Sequence, residues 1–154
     1  MPERPVDPDV DLHFADQRAE LHWPVLAVIS AGGVLGALAR FTVQALLPVA
    51  PAGFPWPTFL VNVSGCLLIG VLMVVITEVR RAHRLVRPFL GVGVLGGFTT
   101  FSTYVVDIQR VIGLGAPVIG LVYLVATMAA ALVAVVAGMR LARLAAGRPV
   151  RAAR

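Results

Sequence analysis

The chain has 154 residues, 58% of them hydrophobic and only 14% charged, with a net charge of +5 and no lysine among its 13 basic residues. A soluble domain of this size could not cover so much apolar surface, which excludes a water-soluble globular fold and points to a polytopic membrane protein. In a soluble chain the basic balance would suggest nucleic acid; here the arginines flank apolar runs and read as topology signals and contacts for anionic membrane lipid.

Residues 1–22 hold six acids, two arginines and three prolines with little periodicity, and read as a disordered cytoplasmic tail. Residues 23–140 read as one membrane domain of four transmembrane helices. The first span, 24–47, carries one charge, Arg40, and is too long and starts too far in to be a cleaved signal peptide. A tight, uncharged, proline-rich turn leads to the second span, 56–77. A connection bearing Arg80, Arg81, Arg84 and Arg87 precedes the third, 88–106, and a short one with Asp107 and Arg110 precedes the fourth, 113–139. Even the shortest run reaches roughly 28 Å at the helical rise, enough for the hydrocarbon core. Residues 141–154 read as a basic cytoplasmic tail.

Eleven of the thirteen arginines fall on the side shared by the termini and the second connection. The positive-inside rule then places both termini in the cytoplasm of a multi-pass protein of the cell membrane. The single cysteine, Cys66, lies inside the second span and excludes an intramolecular disulfide. His13, His22 and His83 sit in a tail or connection without a nucleophile beside them, so nothing points to an enzyme.

Polar residues inside spans are expensive and therefore informative. The first helix carries Gly32, Gly33 and Gly36, a small-residue face suited to close packing, and then Arg40, which reads either as a snorkelling side chain or as part of a site. In the second, Asn62 is either interhelical glue or an ion contact. The third contains Gly96, Gly97, Thr99, Thr100, Ser102 and Thr103. Adjacent glycines weaken a helix and clustered hydroxyls offer its backbone other partners, so this helix is expected to break at its centre. Non-helical backbone at membrane depth persists only when buried in protein or lining a polar cavity, which makes the break a candidate ion site. In the fourth helix Tyr123 and Thr127 share a face; the plainer reading is an interfacial aromatic and a threonine bonded back to its own helix.

Three segments in order carry a resemblance: Gly32-Gly33-Val34-Leu35-Gly36-Ala37-Leu38-Ala39-Arg40-Phe41, Thr58-Phe59-Leu60-Val61-Asn62-Val63-Ser64-Gly65, and Gly96-Gly97-Phe98-Thr99-Thr100-Phe101-Ser102-Thr103-Tyr104. Together they make the chain similar to the Fluc (CrcB) fluoride channels over roughly Leu26 to Val136. The resemblance implies an antiparallel dimer of four-helix subunits with two narrow fluoride pores. It also implies one structural, non-transported sodium ion at the interface, held by backbone carbonyls. By position those carbonyls belong to Gly96 and Thr99. Asn62 would line the pore, Phe101 and Tyr104 would take its two aromatic positions, Ser102 and Thr103 would add hydroxyls, and Tyr123 and Thr127 would form a polar track.

The chemistry suits that implication. Fluoride is small and strongly hydrated, so a dry pore must replace water with fixed donors such as an amide NH₂ and hydroxyls. The positive edge of a phenylalanine ring attracts an anion without offering a competing acceptor. No full positive charge sits at the implied pore centre, where it would hold the anion too tightly. Three positions depart from the family pattern: Tyr104 replaces the usual phenylalanine, Pro57 replaces a glycine, and Ala131 offers no hydroxyl where the polar track often continues.

The leading expectation is passive efflux of cytoplasmic fluoride, which lowers its toxicity. Two alternatives stand beside it: a non-conducting assembly subunit, and a small proton-coupled cation exporter, which would need an intramembrane acid that the first span lacks. The steep arginine bias also suggests a heterodimer with an oppositely oriented homologue rather than an antiparallel homodimer.

Overall fold

A backbone crossing hydrocarbon must satisfy its own hydrogen bonds, and every regular element in the computed structural model, which describes residues 23–79 and 84–147, is helical. The expectations for residues 1–22, for the arginine-rich turn at 80–83 and for residues 148–154 lie outside the described residues. Helix α1 is Trp23–Leu46. Helix α2 is Trp56–Val74 and continues into a π-helical turn, Val75–Val79. A π-helical stretch, Arg87–Leu95, runs into the short α3, Gly96–Phe98; after a break come α4, Ser102–Gly113, and α5, Pro117–Ala145. Prolines open three of these segments in the first turn, where a missing N–H leaves no helical acceptor unpaired.

Among the described residues, four runs, 23–46, 56–78, 87–113 and 117–145, are long and apolar enough to cross a membrane. Three bounds differ from expectation, one of them the start of the fourth run, at Pro117 instead of 113. The third run extends past 106 to Gly113, because Asp107 and Arg110 form an i,i+3 pair on α4 (3.1 Å) and do not end the helix. The connection shrinks to residues 114–116, closed by Gly115 at φ 83°, a conformation that favours glycine. At the other end, α5 covers residues 141–145, which had been assigned to a tail. Arg143 there makes three hydrogen bonds of 2.7–3.2 Å to the Glu78 carboxylate in the π-helical turn after α2, which ties that last turn to its neighbour.

The packing pairs helices that are not neighbours in sequence: α1 lies against residues 87–98, and α2 against α5. Glycine makes both contacts close. A β-carbon on Gly36 would overlap the Val94 carbonyl, and one on Gly97 would overlap that of Gly33. Gly70 meets the Val135 carbonyl, and Gly138 meets that of Leu67. Without a hydrophobic force between helices in lipid, such close backbone approach is a principal source of association.

Gly138→Val and Gly36→Val should each destabilise the fold by about 1–3 kcal/mol through overpacking. Gly113→Ala, which opens onto free space, should not. Detergent-resistant unfolding curves of the three variants check the contrast.

Candidate functional site

The i to i−4 ladder of the third run reaches Thr99, whose N–H bonds the Leu95 carbonyl at 3.0 Å, and then stops. Thr99 turns extended, with ψ 157°. The Thr100 N–H, which a continuous helix would direct at Gly96, goes instead to Asn62 Oδ1 at 2.8 Å; Asn62 Nδ2 donates to the Thr100 carbonyl at 2.9 Å. One side-chain amide thus pairs with both backbone polar groups of Thr100. Chain direction resumes through a cap: Thr100 Oγ1 accepts the Thr103 N–H at 3.2 Å, three residues on, and donates to Thr103 Oγ1 at 3.0 Å. Thr99 Oγ1 bonds back to the Leu95 carbonyl at 2.9 Å.

The break sets two helix ends facing each other at mid-span. The C-terminal end of residues 87–98 carries partial negative charge and the N-terminal end of α4 partial positive charge. A cation is drawn to the first and an anion to the second. Arg40 Nη1 reaches the Thr99 carbonyl at 3.3 Å, so its head is turned to the break rather than only to an interface. The donor set for sodium is chemically suitable. Gly96 has lost its helical N–H partner to Asn62 and opens to free space, and Thr99 presents a carbonyl past the helix end. The Thr99 carbonyl already meets the Arg40 guanidinium.

Beside the break lies a cavity of about 340 Å³ whose wall includes Asn62, Cys66, Thr99, Phe101, Tyr104 and Thr127. Gly96 and Ala131 also border it, whereas Ser102, Thr103 and Tyr123 do not. Phe101 is 73% exposed, and Ser102 beside it is exposed too. Tyr104 is buried, at 6%, and its phenol donates to the Leu124 carbonyl at 2.7 Å. That hydrogen is therefore committed to α5, not offered to an anion. Tyr104 stands 5.2 Å from the Tyr123 ring, which in turn meets Phe54 edge-on at 5.2 Å. Tyr123 and Thr127 are both buried, and the Thr127 hydroxyl has no hydrogen-bond partner among the described residues. Thr127 does not bond back to its own helix, the plainer of its two readings.

Two residues already named in the sequence, Thr100 among the clustered hydroxyls and Thr58 in the second resembling segment, have roles that only the fold shows. Thr100 caps α4, and the Thr100–Thr103 spacing ahead of a helical run was the available signal. Thr58 Oγ1 donates to Asp107 Oδ2 at 2.7 Å, and Arg110 braces the other carboxylate oxygen while its Nη1 bonds the Pro51 carbonyl. No spacing rule links positions 58 and 107, so that contact had no sequence signal.

A family model described as "CrcB-like protein, Camphor Resistance (CrcB)" matches residues 27–139. The chain is 60% identical over 105 residues to a Streptomyces avermitilis protein named fluoride-specific ion channel FluC 2, covering 68% of this chain and 66% of that relative. It is 60% identical over 112 residues to fluoride-specific ion channel FluC 1 of Streptomyces coelicolor, covering 73% of each. It is 53% identical over 123 residues to a Nocardia farcinica FluC 2, covering 80% of this chain and 88% of that one.

Asn62→Leu leaves the Thr100 N–H and C=O unpaired, at about 1–3 kcal/mol for each group. Thr100→Val loses the cap, at about 1 kcal/mol. Unfolding in mixed micelles should rank Asn62→Leu as the more damaging substitution.

Proposed function

The chain belongs to the CrcB-like family, and from that membership we propose that it is a fluoride-selective channel that lets cytoplasmic fluoride leave the cell passively. The observation that carries the reading is the mid-span break. It exposes a helix N-terminus beside a cavity whose wall holds an aromatic pair, the Asn62 amide and the unpartnered Thr127 hydroxyl. Asn62 keeps one N–H after pairing with Thr100, and Thr103 keeps its O–H after accepting from Thr100. The Asn62 N–H and the Thr127 hydroxyl, both on the cavity wall, are the donors that replace fluoride's hydration, whereas Thr103 lies off that wall. The positive ring edge of Phe101 adds attraction without full charge.

The two acids among the described residues fit a channel better than a proton-coupled exporter. Glu78 is paired with Arg143, and Asp107 with Arg110 and Thr58. Neither stands alone in the membrane as a proton carrier. The reading assigns transport and no catalysis.

The functional unit in this reading is an antiparallel dimer in the cell membrane, with each subunit's termini set by its arginine bias. Exposed Phe101 and the apolar α1 surface of Val34, Leu38 and Phe41 supply its contact face. The Gly96 and Thr99 carbonyls of both subunits would hold a structural sodium ion, which would add fixed positive charge near the anion path. The arginine asymmetry favours a partner homologue inserted the opposite way.

Protein reconstituted alone, and with any related four-span chain, should release fluoride from liposomes and exclude chloride, as followed with ion-selective electrodes. Absence of fluoride release from correctly folded protein in both preparations would sink the channel reading. Replacing sodium by N-methylglucamine throughout purification should lower both the flux and the dimer fraction.

A further inference from the structure

The cavity has two chemically unlike halves. Toward the Trp56 end of α2 its wall carries polar side chains, among them Asn62, Tyr104 and Thr127. One turn further along α2 the lining consists of Gly65, Cys66 and Ile69, with Gly91, Leu95 and Ala131 from the facing segments. Among those six, the Cys66 thiol is the single side-chain group able to donate a hydrogen bond. Asn62 and Cys66 are four residues apart on one helix and so present the same face.

The contrast with nearby hydroxyls matters. Ser64 Oγ bonds the Leu60 carbonyl at 2.6 Å and Thr99 Oγ1 the Leu95 carbonyl, so both are turned into their own helices. Cys66 is a free thiol on the cavity wall. A second observation indicates that this cavity takes a polar occupant. Thr127 is only 5% exposed and lines the same space, yet its Oγ1 has no partner among the described residues. An isolated buried hydroxyl is costly unless something pairs with it. Where α5 continues one turn beyond Thr127, it offers Ala131 and no donor.

The geometry points to Cys66 as an anion-contacting residue of the pathway, its S–H continuing the donor series past Asn62 and Thr127 on the side where Ala131 is silent. This assignment rests on the fluoride-channel reading and deepens it. It also makes the cavity open to a soft, thiol-seeking reagent. With an alkylmercury cation the thiol gives its proton to water and a sulfur–mercury bond forms in place of the mercury–water bond. No electrons are transferred, and the adduct fills the half-cavity.

The test uses full-length protein in liposomes. Wild type should conduct fluoride and lose that flux on treatment with ethylmercury chloride. Cys66→Ala should conduct several-fold more slowly. Cys66→Ser, which restores a donor, should recover flux and resist the mercurial. Ethylmercury labelling of Cys66 in wild type, read by intact mass, should slow when fluoride is raised against gluconate at constant ionic strength. That readout does not depend on any variant folding. A conducting wild type with an equally conducting Cys66→Ala, and labelling indifferent to fluoride, would overturn the assignment and leave the channel reading intact. A folded wild type that releases no fluoride would remove the channel reading, and the assignment with it.

Discussion

A peptide unit exposed at the middle of a bilayer has no water to turn to, and the amide of Asn62 is what lets one exist here. Its two hydrogen bonds to Thr100 take the place of the helical partners lost when Thr99 becomes extended. Every other feature of the site depends on that substitution. Without it the Thr100 N–H and C=O would be left unpaired at membrane depth, and the opposed helix ends would lose the bonds that hold them in place. The clamp also joins α2 to the third span, so the element that permits the break fixes its position against the cavity.

The break concentrates opposite partial charges within a few residues, and the neighbouring side chains respect that polarity. Arg40 approaches the end rich in carbonyls, and Thr100 caps the end rich in N–H groups. The hydroxyl cluster therefore divides its labour. Thr99 and Thr100 are engaged in holding the backbone, whereas Thr127 stands on the opposite wall with its oxygen unpartnered.

Much of this was legible in the residues. Uninterrupted apolar runs gave four spans, and Gly96-Gly97 followed by threonines marked the interruption, because both features weaken a helix through local chemistry. The ends of the runs were less legible. Asp107 and Arg110 look like a loop until Thr58, distant in sequence, supplies the hydrogen bond that lets the charge remain on a helix. Likewise Arg143 belongs to α5 and not to a tail because Glu78 stands opposite. The role of Asn62 was half visible: polarity inside a span flagged it, but only the fold shows that both amide atoms are directed at Thr100. The commitment of the Tyr104 phenol to the Leu124 carbonyl was not visible at all, since it depends on how α4 and α5 cross.

The interleaved pairing of the helices has a consequence for biosynthesis. Since α1 is sealed against residues 87–98 and α2 against α5, neither of the first two segments to leave the ribosome has its glycine-tight mate beside it. Both must wait in lipid or in the insertion machinery until later segments arrive, and the Asn62 amide spends that interval without Thr100. Until residues 87–100 emerge, α1 and the Asn62 clamp both lack their partners, and α2 lacks its own until α5 follows.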